Sequence, residues 1–256
     1  MVTGPTSGIG RAFAEEFARK GFDLILVSRD GNRLESVAGE IAGEYGVSCE
    51  ILVADLSDRE QVDRVALRLS DAQRPVSALV NNAGFGLSRS FAGGSLDDEQ
   101  GLLDVLVGAV LRLTHAAVPG MVDRGQGMIV NVSSVATWIT GGTYSAAKAW
   151  VTVFSESLAL ELAGTGVRVV AVCPGFVHTE FHQRAGIDMG ALPEWMWLDA
   201  PAVVDQAFRD LAVGRAVSVA GPQYKAISAA LRHGPRALGR LASAARQRNP
   251  GLGKRA

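Results

Sequence analysis

The chain is poor in residues that would staple or anchor it. It carries 2 cysteines and 4 histidines in 256 residues, with no Cys/His cluster at metal-ligand spacing. That excludes a disulfide framework and a structural metal centre. Cys49 and Cys173 each lie inside an apolar run (48–53 and 167–173) and read as buried core thiols. The net charge of -1 leaves no basic excess for general nucleic-acid binding. No uninterrupted apolar run approaches the roughly 18–20 residues a bilayer span needs, and no signal peptide is visible, so a cytoplasmic protein is the expectation. Repeats, low-complexity segments and linkers are all missing before about Gly221.

What is present is an ordinary globular composition, 48% hydrophobic and 20% charged, with 30 glycines. Short β-branched runs at 1–3, 24–28, 49–53, 78–81, 128–133, 168–173 and 217–220 alternate with amphipathic segments at 9–20, 32–45, 59–70, 97–124, 144–162 and 201–212. Apolar strands separated by helices predict an α/β fold: one doubly wound parallel sheet of about seven strands, with helices on both faces. Ligands in such sheets bind beyond the carboxyl ends of the strands. Residues 1–222 are expected to form one domain, with 223–256 as its basic helical C-terminal extension. Only Met1 and Val2 precede the first turn, although the topology makes this a central strand. Either the recorded start is clipped or the strand is short.

The first turn, Thr3-Gly4-Pro5-Thr6-Ser7-Gly8-Ile9-Gly10, sets three glycines where a helix begins. Glycines let the backbone turn tightly and let a phosphate approach the helix N-terminus. The second strand ends in Ser28-Arg29: the acid that would take a ribose 2′-hydroxyl is absent, and Arg29 is placed to meet a 2′-phosphate. This predicts NADP(H) over NAD(H). Asp55 can accept from an adenine amino group or cap the helix near Arg59. Asn81-Asn82-Ala83-Gly84 offers amides that bridge neighbouring strands and small residues against which a ribose can lie. Tyr144 and Lys148, four apart at the start of a helix, share one face. A cation beside a phenol lowers the phenol's pKa toward working pH.

These pieces together resemble the short-chain dehydrogenase/reductase family. The matching residues are Thr3-Gly4-x-x-x-Gly8-x-Gly10, Asp55-Leu56, Asn81-Asn82-Ala83-Gly84, Ser133-Ser134, Tyr144-x-x-x-Lys148 and Pro174-Gly175, in the family's order over roughly residues 1–180. The resemblance implies a Rossmann-type domain that uses NAD(P)(H) to interconvert alcohols and carbonyls. It implies that Tyr144 exchanges the proton, Lys148 lowers the Tyr144 pKa and holds the nicotinamide ribose, and Ser134 stabilises the substrate oxygen. It further implies a cofactor site of Gly4, Thr6, Ser7, Gly8, Ile9 and Gly10 along the pyrophosphate, Asp55, Leu56, Asn82, Ala83 and Gly84 toward adenosine, and Pro174, Gly175, Val177 and Thr179 toward the nicotinamide. No metal is implied.

Two departures from the family pattern matter. Leu106 stands where many members carry an Asn that orders a proton-relay water, so the relay is missing or rerouted. Ser134 precedes Tyr144 by a shorter gap than usual, which leaves Ser133 and Ser134 both open as the active serine. Phe85, Leu87, Trp138, Ile139, Phe176, Phe181, His182, Trp195, Met196, Trp197 and Leu198 can wall an apolar cleft, and the alternative is that half are core. The expected substrate is a small lipophilic alcohol or ketone. From Tyr224 on, a basic amphipathic pattern fits a membrane surface, a partner or a solvated cap. The family's habit of pairing through helices 97–124 and 144–162 implies a homodimer or homotetramer. The alternative function is a catalytically faded cofactor-binding scaffold or sensor, suggested by Leu106.

Overall fold

Apolar, β-branched runs make strands that can be buried on both faces, and here they build the centre of the molecule. In the computed structural model, which describes residues 1–181, 186 and 192–233, seven strands form one sheet in the order β3-β2-β1-β4-β5-β6-β9, each pair parallel. They are β1 Val2–Thr3, β2 Leu24–Ser28, β3 Cys49–Val53, β4 Ala78–Asn81, β5 Gly127–Val132, β6 Val167–Val172 and β9 Val217–Ser218. β1 is two residues long, sits between β2 and β4, and its Met1 amine donates to the Ala78 carbonyl at 2.7 Å.

The helices follow the predicted alternation. α1 Gly8–Arg19, α2 Gly31–Tyr45 and α7 Ala200–Ala212 cover one face. Phe13, Phe17, Leu34, Ile41, Val203 and Leu211 close that core. α3 Arg59–Leu69, α5 Val110–Asp123 and α6 Gly142–Glu161 cover the other through Val62, Val65, Leu113, Met121 and Leu158. α4 Leu96–Leu103 runs into α5 through a π-helical segment, Asp104–Ala109, making one helix of 28 residues. By length and composition this helix could cross a membrane, which counting uninterrupted apolar runs had not anticipated. Its Leu102, Leu106, Leu113 and Met121 are fully buried against the rest of the chain, so one face of it is core, while Leu96, Leu103 and Leu111 are exposed.

Three features went unforeseen. Phe176–Val177 and Trp197–Leu198 pair as a separate two-stranded parallel sheet, β7 and β8. Cys173 is buried as expected, but Cys49 is only half-buried on β3. The described part of the C-terminal extension, α8 Pro222–His233, docks through Tyr224, which is buried. Its hydroxyl donates to the Met196 carbonyl at 2.6 Å and accepts from the Phe176 amide at 3.0 Å. Arg236, Arg240, Arg246, Arg248, Lys254 and Arg255 lie outside the described residues, as does His182.

Candidate active site

The glycine turn comes first because the chain has no freedom there. Gly4 and Gly8 both have positive φ, 64° and 57°. A Cβ on Gly8 would lie 2.7 Å from the Thr179 methyl, and one on Gly10 would collide with the Gly4 carbonyl and the Asn82 amide. α1 then begins without help: its N-cap Ser7 makes no side-chain cap and its first turn holds no acid. By contrast α2, α3 and α4 are capped by the side chains of Asp30, Asp58 and Ser95. An uncapped N-terminus beside a bare glycine backbone presents free N–H groups and the positive end of the helix dipole. This cradle fits a dinucleotide pyrophosphate. Thr6 and Ile9 flank it, half-buried.

Asn82 fastens the turn from behind. Its amide donates to the Thr3 and Gly4 carbonyls at 3.0 and 2.9 Å, while the Thr3 hydroxyl receives the Asn82 and Ala83 amides, each at 3.0 Å. The bridging role read from the sequence therefore belongs to Asn82. Asn81 instead joins a buried ladder, donating to Thr114 Oγ1 and Asn131 Oδ1, and Asn131 donates on to Ser155.

On α6, Tyr144 and Lys148 come together: the Lys148 ammonium lies 5.8 Å from the centre of the Tyr144 ring. Lys148 is buried, and its Nζ donates to the Val132 carbonyl at 2.7 Å. Burial pushes its pKa from 10.5 down to about 8. Burial also pushes the adjacent Cys173 thiol up to about 11, which leaves it an unreactive core group.

The two serines separate cleanly. Ser133 is buried; its Oγ donates to the Lys148 carbonyl at 2.8 Å and shares a hydrogen bond with Thr152 Oγ1 at 2.8 Å. Ser134 is half-buried just beyond β5, and its Oγ accepts the Ala136 amide at 3.1 Å. Of the two, only Ser134 keeps its hydroxyl hydrogen uncommitted among the described residues. Leu106, in the π segment, fills the space beside Gly84, where a Cβ would sit 2.7 Å from its Cδ2 and 3.9 Å from Lys148 Nζ. It forms a cluster with Leu102 and Ala147, against which Tyr144, Phe85 and Leu87 pack.

At the far end of the cleft, Ser28 and the exposed Arg29 close β2. A second guanidinium, which sequence reasoning missed, stands nearby. Arg33 Nη2 lies 3.0 Å from Glu180 Oε1 and 3.5 Å from the Thr6 carbonyl, so it overhangs the glycine turn. Asp55 does not cap α3, a task that falls to Asp58; its Oδ1 takes the Ser57 amide and hydroxyl at 2.9 and 2.7 Å. Leu56 turns its side chain into the core.

After β6, the Pro174 carbonyl receives the Val135 amide at 3.0 Å. Gly175 is required by contact rather than by φ: a Cβ there would overlap the Tyr224 ring. Val177 is buried in β7, and Thr179 leans on Gly8. Of the expected wall, Phe181 lies beside Tyr144, their rings 6.0 Å apart, and Phe85 and Leu87 pack on the same Leu102–Leu106–Ala147 cluster as Tyr144. Phe176 and Trp197 instead pack with Tyr224 and His178, Trp138 lies under Arg232, Leu198 joins the core, and Trp195 is exposed. About half of the expected wall is thus structural. Among the described residues no cluster of three or more His, Cys, Asp or Glu could hold a metal.

A family model described as short chain dehydrogenase matches residues 1–189. The very-long-chain 3-oxoacyl-CoA reductase of Anas platyrhynchos is 36% identical over 188 residues, which covers 70% of this chain and 60% of that protein. The sulfoacetaldehyde reductase of Chromohalobacter salexigens is 39% identical over 197 residues, 75% of this chain and 77% of that one. Among solved structures, a short-chain dehydrogenase from Sphingobium yanoikuyae in complex with NADPH superposes with a TM-score of 0.81 at 34% identity, covering 100% of this chain and 95% of that one.

Proposed function

The chain belongs to the short-chain dehydrogenase/reductase family, and on that premise we propose that it transfers hydride between NADP(H) and an apolar alcohol or carbonyl compound. The observation that carries this is the Tyr144–Lys148 pair on α6, with the Lys148 ammonium 5.8 Å from the Tyr144 ring centre. In the reductive direction the Tyr144 hydroxyl gives its proton to the substrate oxygen. Ser134 donates a hydrogen bond to the same oxygen as negative charge develops. The Lys148 ammonium, held by the Val132 carbonyl, stabilises the phenolate left behind. The bound nicotinamide supplies the hydride, and the protein supplies orientation and electrostatics. Leu106 orders no water, so Tyr144 is reprotonated by a route other than the usual Asn site, and slower turnover is the expected consequence.

Arg29, with no acid at Ser28, supports NADP(H) over NAD(H), and Arg33 at the rim of the glycine turn adds a second cation for a 2′-phosphate. Phe181 beside Tyr144, with Phe85 and Leu87 on the apolar cluster that Tyr144 packs against, supports a lipophilic substrate. A second reading, a cofactor-binding scaffold that has lost its chemistry, is favoured by Leu106 alone. Turnover of a panel of aryl and alkyl ketones with NADPH and with NADH separates the two. The expected result is reduction with kcat/KM for NADPH at least about tenfold above NADH, a margin that one charge-assisted contact accounts for. Tight NADPH binding with no turnover of any ketone would support the scaffold, and an NADH preference would overturn the cofactor reading.

A further inference from the structure

Arg232, in the last turn of α8, touches the two elements that carry the reacting side chains. α8 packs through a row of side chains four apart, Tyr224, Ser228 and Arg232. Tyr224 and Ser228 are buried, which fixes where the row ends. There the Arg232 guanidinium carbon lies 5.7 Å from the centre of the Trp138 ring, and Nη2 donates to Glu156 Oε1 at 3.0 Å.

Trp138 closes the 3₁₀ turn Val135–Trp138, and Ser134 opens it. The Ser134 carbonyl accepts the Thr137 amide at 3.1 Å, its Oγ accepts the Ala136 amide at 3.1 Å, and the Val135 amide donates to the Pro174 carbonyl. A turn bonded this closely moves as one piece, so a displaced Trp138 displaces Ser134. Glu156 stands on α6 at the end of a second row, Tyr144, Lys148, Thr152 and Glu156, again four apart. The ion pair by itself contributes little to stability, because the Arg232 and Glu156 side chains are 39% and 36% exposed. Its effect is geometric. A planar guanidinium can lie over a ring while its edge meets a carboxylate, so one residue fixes the Ser134 turn against the Tyr144 helix.

We propose that Arg232 is a positioning residue for the reaction: it braces the Ser134 turn against α6, so that the Ser134 hydroxyl and the Tyr144 phenol meet one substrate oxygen. The proposal rests on the oxidoreductase reading and adds to it a residue that needs no contact with substrate or cofactor. Two groups on separate elements serve one oxygen only if the elements keep their spacing, and small misplacements cost rate. The Ser134 hydrogen bond strengthens as charge develops on that oxygen, so a misplaced serine costs kcat and spares KM.

The test is Arg232→Gln in the full chain, with Lys225→Gln as the control on the same helix, since the Lys225 ammonium reaches Gln206 on α7 instead. For ketone reduction with NADPH, Arg232→Gln should lower kcat about three- to tenfold, the size of one cation–π contact with its ion pair. KM for the ketone and Kd for NADPH should stay within about twofold, since neither ligand is touched. In a Ser134→Ala background the same change should cost nothing further, because the group it places is gone. Hydrogen exchange adds a readout that needs no turnover: amides across 135–139 should exchange faster in Arg232→Gln and not in Lys225→Gln. Unchanged kcat, a loss that persists in the Ser134→Ala background, or unchanged exchange across 135–139 overturns the proposal. If no variant or wild type reduces a ketone, faster exchange in Arg232→Gln alone keeps the brace and sinks the oxidoreductase reading. A working reductase indifferent to Arg232→Gln sinks the brace and leaves that reading standing.

Discussion

Lys148 shows how much a single position can hold. Its ammonium is buried, which costs solvation, and the folded protein responds by loosening the proton from a pKa of 10.5 to about 8. In the window between those two values the unfolded chain keeps a proton that the folded chain has lost. Stability therefore rises with pH from about 8 to about 10.5, and the full cost of the buried charge is present below pH 8. The change is on the order of 3 kcal/mol for a shift of this size in a buried group. Urea unfolding at pH 7.5 and pH 10, compared between wild type and Lys148→Met, should show this pH-dependent difference in the wild type only. Equal pH slopes would mean that Lys148 is not desolvated. The pairing of Tyr144 with Lys148 was legible in the sequence because a spacing of four on a helix fixes proximity. Arg33 was not, because its partner Glu180 lies 147 residues away and only the closed sheet brings them together.

At the level of elements, the strand–helix alternation was readable because apolar runs and amphipathic segments differ in period. Five of the seven sheet strands have lengths between four and six residues and fell within one residue of expectation at each end. What the pattern could not carry were the pieces held by tertiary contact. These are β7 with β8, two residues each, and the docking of α8, a helix the sequence did suggest, through one buried Tyr224 ring against Gly175. The junction of β5 with α6 illustrates the same limit. Two adjacent serines are equivalent in sequence, yet strand alternation sends Ser133 inward to pin α6 and leaves Ser134 at the mouth. Ser133→Ala should accordingly lower stability by about 1–3 kcal/mol through the lost buried hydrogen bonds. Ser134→Ala should leave stability nearly unchanged and reduce kcat by about 10²–10³. Denaturation and steady-state kinetics on both variants check this, and the reverse pattern would exchange their roles.

For the molecule as a whole, the outer faces of the long helices are more apolar than a solvated surface requires. Leu111 on α5 and Val153 and Leu160 on α6 are exposed, and Trp150 stacks on Phe154 at 4.7 Å beside them. A stable dimer of standard size buries about 1,200–2,000 Å², and we propose that a second copy covers these residues. Light scattering should find a dimer or a multiple of it, and Leu160→Glu should shift it toward monomer; a monomeric wild type would remove the interface. The central claim concerns chemistry, and Tyr144→Phe tests it most directly. The variant keeps the ring, its packing beside Phe181 and on the Leu106 cluster, and the glycine turn, and removes the hydroxyl that carries the exchangeable proton. NADPH binding, followed by fluorescence, should stay within about twofold, while single-turnover ketone reduction falls by about 10²–10⁴. A Tyr144→Phe protein that reduces ketone at the wild-type rate would contradict the assignment of Tyr144 as the proton donor.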